Sequence, residues 1–341
     1  MMKDGFKTTF DDCYSLCELP WFELDDSGRL KTTPEARLKI IDFHTHIGLS
    51  QFFRGKIDMW KETPEVLHYF PARGNPIDLN TYTFKNLTDD NRKKMKKHLT
   101  TAVFVGSDRA RTHTIPNFLR EMDALGVEKS VVLAIEVRFL FRNTAVILEN
   151  LKDHPRLIPF CCIHPAHGRI QEKLEKHIAA GAKGLKFHPV FQTIAPDAPG
   201  ALKLFSLCAR YNLPILTHTS ASGEEPAFMQ SFARLERFRE AIKAAQGTPF
   251  ILGHSGMTDG CRQAIQYAVE FDNVYLELSG QPVCRLREIF EKVDHSRLLF
   301  GSDWPFYHAA FPLASVLIAT EGDETLRRMA LYENAASLLR L

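Results

Sequence analysis

The chain has 341 residues, of which 45% are hydrophobic and 25% are charged, and its formal net charge is +2. This balance gives no indication of a nucleic-acid partner or an anionic membrane surface, and no run approaches the roughly 18 apolar residues that span a bilayer. We therefore expect a protein that buries a large core and has neither nucleic acid nor a membrane as its partner, with homo-oligomerisation left open.

The amino-terminal segment, residues 1–36, is a polar and partly aromatic extension that predicts no particular fold. It contains acidic residues and lacks the apolar stretch of a secretory signal. The chain carries seven cysteines, an odd number, and no CxxC pair, which argues against both a disulfide framework and a zinc knuckle. These features predict reduced, mostly buried cysteines in a cytoplasmic protein.

The first predicted strand, residues 39–46, is the apolar run KIIDFHTH, which ends in two histidines, His44 and His46. Side chains at positions i and i+2 of a strand project from the same face, roughly 6–7 Å apart. Two imidazoles at this spacing can converge on one metal ion. The alternative is that one histidine caps the strand while the other is solvated, and this motif alone does not decide between them.

A long insertion, residues 49–108, follows this strand and contains Pro64, Pro71 and Pro76. Segments inserted after a strand of a parallel barrel overhang the face on which active sites lie. We therefore predict that the insertion is a lid or a substrate-selecting segment. A contact between copies of the chain is the alternative.

From residue 129 onward, apolar runs alternate with segments of helical periodicity, which indicates a parallel sheet covered by helices. The predicted strands are 39–46, 130–136, 157–164, 183–188, 213–218, 248–254, 273–279 and 297–303. The predicted helices include 170–180, 201–210, 228–245, 259–270 and 283–292.

Eight strands separated by helices favour an α/β fold of the (β/α)8 TIM-barrel type over a doubly wound sheet. No GxGxxG motif follows the first strand, which further weakens the doubly wound alternative. The prediction is a barrel domain over residues 37–341, preceded by the extension 1–36 and interrupted by the insertion 49–108.

Histidines are concentrated at the predicted carboxyl ends of the strands, and the eighth strand ends in Asp303. The histidines at these ends are His44, His46, His164, His188, His218 and His254. In a parallel barrel all of these ends open onto one face, so residues distant in sequence meet there. Imidazole and carboxylate are the ligands that zinc-like ions prefer, and the pattern therefore predicts a metal site.

Five motifs, DFHTHIG, GLKFHP, LPILTHTS, FILGHSG and LLFGSDWPF, occur in this order along the chain. Together they resemble the amidohydrolase superfamily, in its amidohydrolase-2 branch of TIM-barrel hydrolases and decarboxylases. The resemblance covers about residues 39–320. It implies a metal-dependent enzyme.

The resemblance also implies roles for individual residues. His44, His46 and His218 would be metal ligands. Asp303 would bind the metal and also exchange a proton with the bound water, while His254 would act beside that water as an electrostatic or acid–base partner. The implied cofactor is one divalent ion, zinc by preference, with manganese or a two-metal site as alternatives.

Five further residues are candidate substrate contacts, each with an alternative. Lys186 and His188 share a face of the fourth strand, and in two-metal members of the superfamily a strand-end lysine is carboxylated and bridges the ions. His164 either contacts substrate or is a polar strand end. Arg138 could clamp a substrate carboxylate or form a surface ion pair, and Trp304 could line the pocket or pack in the core.

Asp42 lies on the same face as His44, one step deeper, and we expect it to orient the ligands rather than bind metal. Glu277 and Ser279 end the seventh strand and share a face. Both are therefore candidates for lining the pocket, with no specific role predicted for either.

The motifs lead to a hydrolase in which metal-activated water attacks a carbonyl group, an amide, ester or lactone, of a small organic substrate. The alternative is a metal-dependent non-oxidative decarboxylase of an aromatic or unsaturated carboxylic acid. A non-catalytic barrel would lack a ligand, whereas every position that the metal needs is filled.

Overall fold

Eight parallel strands form the central sheet of the computed structural model, which describes residues 5–48, 57–105, 108–136, 143–221, 225 and 227–341. They are β1 (Ile40–Thr45), β2 (Val127–Leu133), β3 (Leu157–Cys162), β4 (Gly184–Phe187), β5 (Ile215–His218), β6 (Phe250–Gly253), β7 (Val274–Glu277) and β8 (Leu298–Leu299). Each strand pairs in parallel with the next one along the chain.

Hydrogen bonds between the first strand and the residues that directly follow the last strand close this sheet into a barrel. The amide of Phe43 donates to the carbonyl of Phe300 over 2.8 Å, and the amide of Asp303 donates to the carbonyl of His44, also over 2.8 Å. A parallel bridge joins Thr45 to Trp304. The predicted (β/α)8 barrel is confirmed, and the doubly wound alternative is excluded.

Helices cover the outside of the barrel. They are α1 (Asp89–Val105), α2 (Ile115–Leu125), α3 (Asn143–Leu151), α4 (Ile170–Ala179), α5 (Pro189–Gln192), α6 (Pro199–Arg210), α7 (Ala227–Gln230), α8 (Arg239–Ala244), α9 (Cys261–Glu270), α10 (Val283–Lys292), α11 (Ala310–Ala319), α12 (Glu324–Arg328) and α13 (Asn334–Leu339). Helix α2 has proline in its first turn and ends at Gly126, whose φ of 72° provides the left-handed cap that glycine adopts without strain.

The prediction of one continuous helix over 228–245 is wrong. The segment is divided into α7, two short 3₁₀ turns and α8, because Arg234 adopts an extended conformation with φ −62° and ψ 132°. Tertiary hydrogen bonds hold this break in place. The carbonyl of Ala233 accepts from the amide of Ser220, and the carbonyl of Leu235 accepts from the Tyr267 hydroxyl.

The inside of the barrel is a packed apolar core beneath the strand tips. Ile41, Phe43, Phe160 and Leu216 belong to this interior cluster, together with Ala335 of the carboxyl-terminal helix α13. Because the interior is filled at its amino end, the polar side chains at the carboxyl ends of the strands rest on a rigid floor.

The extension and the insertion are joined to each other and to the barrel. Thr9–Phe10 pairs antiparallel with Ile77–Asp78 of the insertion, and Phe22–Leu24 forms a hairpin with Leu30–Thr32. Apolar side chains of the extension, such as Trp21, lie in the same hydrophobic cluster as the outer face of the barrel. The division at residue 36 stays a prediction.

All seven cysteines are free, and only Cys17 and Cys284 are not fully buried, which confirms the expectation of mostly buried thiols. Within the ranges that the structure describes, none of the helices combines the length and the apolar character needed to cross a membrane.

A close approach between neighbouring strands gives a test of this packing. A Cβ atom added at Gly184 would lie 2.3 Å from the Phe160 ring, which is buried in the interior cluster beside Phe43. We predict that Gly184→Ala lowers the free energy of unfolding by about 1–3 kcal/mol, because overpacking forces the ring to move. Urea denaturation measures the change.

The matched control is Gly168→Ala, because an added Cβ at Gly168 meets nothing within 4 Å. This variant should stay within about 0.5 kcal/mol of the wild type. Equal stability of the two variants would show that Phe160 has room to rotate, and the packing argument would then fail.

Candidate metal centre

The candidate site lies at the carboxyl ends of the barrel strands. His44 lies within β1 and His46 directly follows it, while His254 follows β6 and Asp303 follows β8. Both His254 and Asp303 have φ of 59°, in the left-handed region that side chains other than glycine rarely adopt. Backbone strain of this kind is found at functional sites, where the surrounding fold enforces it.

Three side chains converge most closely. The Nε2 atoms of His44 and His46 are each 3.6 Å from Oδ1 of Asp303, and all three residues are buried. The three ligand atoms lie within 4.8 Å of one another. The structure thus brings the paired histidines of β1 and the aspartate after β8 to one point.

Hydrogen bonds on the far side of each ring determine where the histidine protons lie. Nδ1 of His46 is 3.0 Å from the carbonyl oxygen of Leu133, and Nδ1 of His44 is 2.7 Å from the carboxylate of Glu277. A carbonyl and a carboxylate accept hydrogen bonds, so both rings carry their proton on Nδ1. Each Nε2 therefore presents a lone pair toward Asp303.

Electrostatics keep these rings neutral. Burial lowers the pKa of both His44 and His46 well below the ordinary value, and the nearby positive charge of Lys186 lowers each further. Burial likewise raises the pKa of Asp303, although the Lys186 charge acts in the opposite direction. Neutral imidazoles are the form that binds a metal ion.

Glu277, for which the sequence predicts no specific role, organises the site. Its carboxylate accepts from Nδ1 of His44, from the amides of His254 and Ser279, and from the Ser279 hydroxyl. Since the Ser279 proton points to Glu277, the hydroxyl oxygen accepts from Nδ1 of His254 over 2.8 Å. The His254 proton is therefore also on Nδ1, and its Nε2 carries a lone pair.

His254 belongs to the same cluster of rings. Its centroid is 4.6 Å from that of His44, and the two residues form a second group of potential ligands with Glu277. Burial and the Lys186 charge lower the pKa of His254 to about 3. A neutral ring with a free lone pair can accept a proton.

Lys186 lies in the middle of the centre. It is fully buried, and Nζ is 3.1 Å from Nε2 of His44. Burial lowers its pKa to about 8, while the charges of Asp303 and Glu277 oppose that shift. The buried ammonium group of Lys186 partly balances the charges of these two carboxylates. The contact between Lys186 and substrate stays a prediction.

His218 lies in the same pocket but outside the three-atom group. Its ring stacks on His188 at 4.1 Å between centroids and lies 4.8 Å from His254. Its Nε2 atom is buried and has no hydrogen-bond partner, and burial lowers its pKa well below the ordinary value. Neither of the two ligand groups found among the described residues includes His218.

Other predicted contacts have partners within the protein. Nε2 of His164 donates to the carbonyl of Gln192 over 2.9 Å, and Nδ1 of His188 accepts from the amide of Phe191. Trp304 is fully buried against Phe118, which favours the core-packing alternative for this residue. Arg138 lies outside the described residues.

Asp42 and Glu121 support the segment that carries Asp303. Asp42 accepts from the amide and hydroxyl of Ser302 and from the amide of His44, as the expectation of an orienting role requires. Glu121 of α2 accepts from the Trp304 indole over 3.1 Å and from the amide of Ala309 over 2.8 Å. Both carboxylates tie the end of β8 to neighbouring elements.

Glu121 also binds the insertion. Its carboxylate is 3.0 Å from Nε2 of His68 and 3.6 Å from Nδ1 of His308. Burial raises the pKa of Glu121, but the charges of these histidines and the hydrogen bonds that it accepts lower it overall, to about 2. The sequence offers no motif for Glu121; an acid among the buried positions of an amphipathic helix is the only signal.

The residues at the centre fit a divalent cation. Two nitrogen lone pairs and a carboxylate oxygen converge, and the Nε2 atom of His218 nearby has no partner. When Asp303 is ionised, these acceptor atoms stabilise a positive charge placed between them. This nitrogen and oxygen donor set is one that zinc and manganese accept.

Comparison with known proteins identifies a family and a shared fold. The sequence of residues 41–341 matches the protein family described as amidohydrolase. Among curated proteins, no match to the chain was found.

Three solved structures illustrate the similarity in fold. A 5-carboxyvanillate decarboxylase from Novosphingobium aromaticivorans, solved with manganese and 4-hydroxy-3-methoxy-5-nitrobenzoic acid, is 14% identical (TM-score 0.63; 91% of this chain and 98% of that one covered). A 2,6-dihydroxybenzoate decarboxylase from Rhizobium is 16% identical (TM-score 0.54; 89% and 98%). A probable 2-pyrone-4,6-dicarboxylic acid hydrolase from Acinetobacter baumannii, with citric acid bound, is 12% identical (TM-score 0.56; 89% and 100%). At these identities the similarity establishes the shared fold.

The contact between Glu277 and His44 gives a test of the centre. In Glu277→Gln, an amide replaces the carboxylate that fixes the proton of His44 on Nδ1. We predict a loss of metal affinity of about 10–100-fold, as is typical when the partner of a ligating histidine is changed. Competition with a chelator for zinc and for manganese measures the affinity.

Glu175→Gln is the matched control, because Glu175 also accepts side-chain hydrogen bonds but is exposed on the surface. Its metal affinity should equal that of the wild type. If Glu277→Gln bound metal as tightly as this control, the proposed role of Glu277 in orienting His44 would be wrong.

Proposed function

Because this chain belongs to the amidohydrolase family, we propose that it is a metal-dependent hydrolase that acts on a carbonyl group, an amide, ester or lactone, of a small organic substrate. The observation that carries the proposal is the position of Asp303, whose carboxylate oxygen faces both Nε2 lone pairs over 3.6 Å. This arrangement supports a centre in which a carboxylate moves a proton beside a bound cation.

The proposed ligands are His44, His46, His218 and Asp303, and the proposed cofactor is one divalent ion, zinc by preference. When bound, such an ion supplies Lewis acidity, which lowers the pKa of water and polarises a carbonyl group. Manganese is the alternative to zinc, because the decarboxylase from Novosphingobium aromaticivorans was solved with manganese.

Asp303 would act as the general base. Its carboxylate accepts a proton of the attacking water and then gives it to the leaving amine or alkoxide as the bond between that group and the carbonyl carbon breaks. The hydrogen bond from the Asp303 amide to the carbonyl of His44 keeps the carboxylate in register with the two histidines. A proton carrier held this rigidly needs little reorganisation during the reaction.

Two further side chains would assist. The neutral ring of His254 presents Nε2 as an acceptor, because Ser279 holds its proton on Nδ1. The Lys186 ammonium is buried in the same pocket and can stabilise negative charge that develops on a substrate oxygen. His254 is thus a second proton acceptor and Lys186 an electrostatic group.

A decarboxylase of an aromatic or unsaturated carboxylic acid is the second candidate. The observation that favours it is the buried cation of Lys186, which would pair with a substrate carboxylate. Decarboxylases also occur among proteins that share the fold, including those from Rhizobium and Novosphingobium aromaticivorans.

Reaction in isotopically labelled water distinguishes the two candidates. The metal-loaded protein is incubated with panels of lactones, esters, amides and hydroxybenzoates in water enriched in oxygen-18 or deuterium. A hydrolase incorporates oxygen-18 into the product carboxylate. Release of carbon dioxide with solvent deuterium at the vacated carbon, and no oxygen-18 in the organic product, would establish the decarboxylase and overturn the hydrolase.

Substitutions test the roles of the individual side chains. We predict that His254→Ala retains the metal and loses about 10²–10⁴-fold in kcat, the usual contribution of a general acid–base group. Asp303→Ala and His218→Ala should lose metal or activity while the barrel stays folded, since neither side chain belongs to the hydrophobic clusters. Metal analysis, circular dichroism and turnover are measured on each variant.

His167→Ala is the control, because His167 is exposed on the surface. It should keep both metal and turnover. Wild-type turnover in Asp303→Ala would refute the assignment of the base, and loss of metal in His254→Ala would make His254 a ligand instead.

A further inference from the structure

Two tyrosine hydroxyls near the centre are buried without a hydrogen-bond partner. They belong to Tyr82, in the insertion, and Tyr307, in the segment that follows Asp303. Nearly all buried polar groups in native proteins are hydrogen-bonded, and an orphaned one costs free energy. Two such hydroxyls in one region therefore call for a binding partner.

The two side chains lie in one aromatic cluster. The ring of Phe84 is 5.4 Å from that of Tyr307 and stacks parallel to that of Tyr82 at 6.5 Å. The ring of Tyr307 thus packs against the insertion, although the residue itself follows β8.

The Tyr82 hydroxyl lies at the end of β7, beside the residues that orient the histidines. It is 3.1 Å from the position that a Cβ of Gly280 would occupy, and Gly280 directly follows Ser279. The amide and hydroxyl of Thr83 both donate to the Gly280 carbonyl, which fastens the insertion there. The contact requires glycine, because any side chain at position 280 would crowd the phenol.

The charges of the centre reach both phenols. Burial raises the pKa of Tyr82 and of Tyr307 well above the ordinary value, and the negative charges of Asp303 and Glu277 raise each further. Both hydroxyls are therefore protonated at neutral pH and can donate a hydrogen bond. A donor of this kind binds most strongly to an anionic oxygen.

We propose that Tyr82 and Tyr307 form a hydrogen-bonding pair that recognises an oxyanion of the substrate, a carboxylate or a phenolate, at a point separate from the metal ligands. The inference rests on the proposed function, since it places the substrate between this pair and the reacting centre. It also gives the insertion a substrate-selecting role through Tyr82, as the sequence predicts for residues 49–108. The substrate would then carry an anionic group in addition to the one that reacts.

Calorimetric binding to the zinc-loaded full-length protein tests this pair without turnover. The probes are benzoate, isophthalate and terephthalate, which differ only in a second carboxylate and its position. We expect at least one dicarboxylate to bind wild type about tenfold more tightly than benzoate. Tyr82→Phe and Tyr307→Phe should each remove most of that gain and leave benzoate affinity unchanged.

Two outcomes overturn the proposal. One is a wild type for which neither dicarboxylate binds more tightly than benzoate, and the other is a phenylalanine variant that keeps the full gain. Binding is measured separately from catalysis. A protein that binds a dicarboxylate more tightly than benzoate but catalyses neither reaction therefore refutes the proposed function and still supports the role of the tyrosine pair. A protein that catalyses one of the two reactions but binds neither dicarboxylate more tightly than benzoate supports the proposed function and refutes the role of the tyrosine pair.

Stability provides an independent measurement, with Tyr267→Phe as the matched control. The buried Tyr267 hydroxyl donates to the carbonyl of Leu235 over 3.1 Å, so its removal should lower the urea midpoint without affecting probe affinity. Tyr82→Phe and Tyr307→Phe remove hydroxyls that have no partner, and their midpoints should equal or exceed that of wild type. A midpoint lowered as far as in Tyr267→Phe would mean that the hydroxyl is bonded within the folded protein, which contradicts a role in binding.

Discussion

The structure depends on one electrostatic constraint, the convergence of three acceptor atoms at the top of the barrel. The Nε2 atoms of His44 and His46 each lie 3.6 Å from a carboxylate oxygen of Asp303, and both nitrogens present a lone pair rather than a proton. The protein enforces this by placing both histidine protons on the opposite nitrogens, through Glu277 and the Leu133 carbonyl. Burial favours the protonated carboxyl of Asp303. Positive charge, from Lys186 or from a bound cation, stabilises its ionised form beside the two lone pairs.

The rest of the fold can be understood as support for that convergence. Strand β1 is hydrogen-bonded directly to the segment that follows β8, and this closure places Asp303 opposite His44. Asp303 adopts a left-handed conformation that costs free energy, and Glu121 holds the following residues in place by binding the Trp304 indole and the Ala309 amide. The packed interior below the site supplies the rigidity on which short distances between charged groups depend.

Sequence patterns predict the barrel strands and the histidines at their ends, because strand periodicity and strand-end position are local properties. They give Glu277 only as a candidate for lining the pocket and miss its role, because its partner His44 lies 233 positions away. An acid at the end of an apolar run is equally compatible with a solvated strand end, and no local rule separates the two. Glu121 and Tyr82 escape notice for the same reason, since buried side chains of a helix or a loop resemble ordinary core residues.

The amino-acid sequence by itself determined the fold class, the order of the strands and the kinds of ligand that meet at their tips. Hydrophobic periodicity and the spacing of His44 and His46 are enough for that, because neighbouring positions along a strand have fixed geometry. Only the tertiary structure decided which nitrogen of each histidine faces inward, that His218 stands outside the closest group, and that an insertion residue, Tyr82, reaches the end of β7. These features arise from contacts between elements far apart in the chain, whose distances no local pattern encodes.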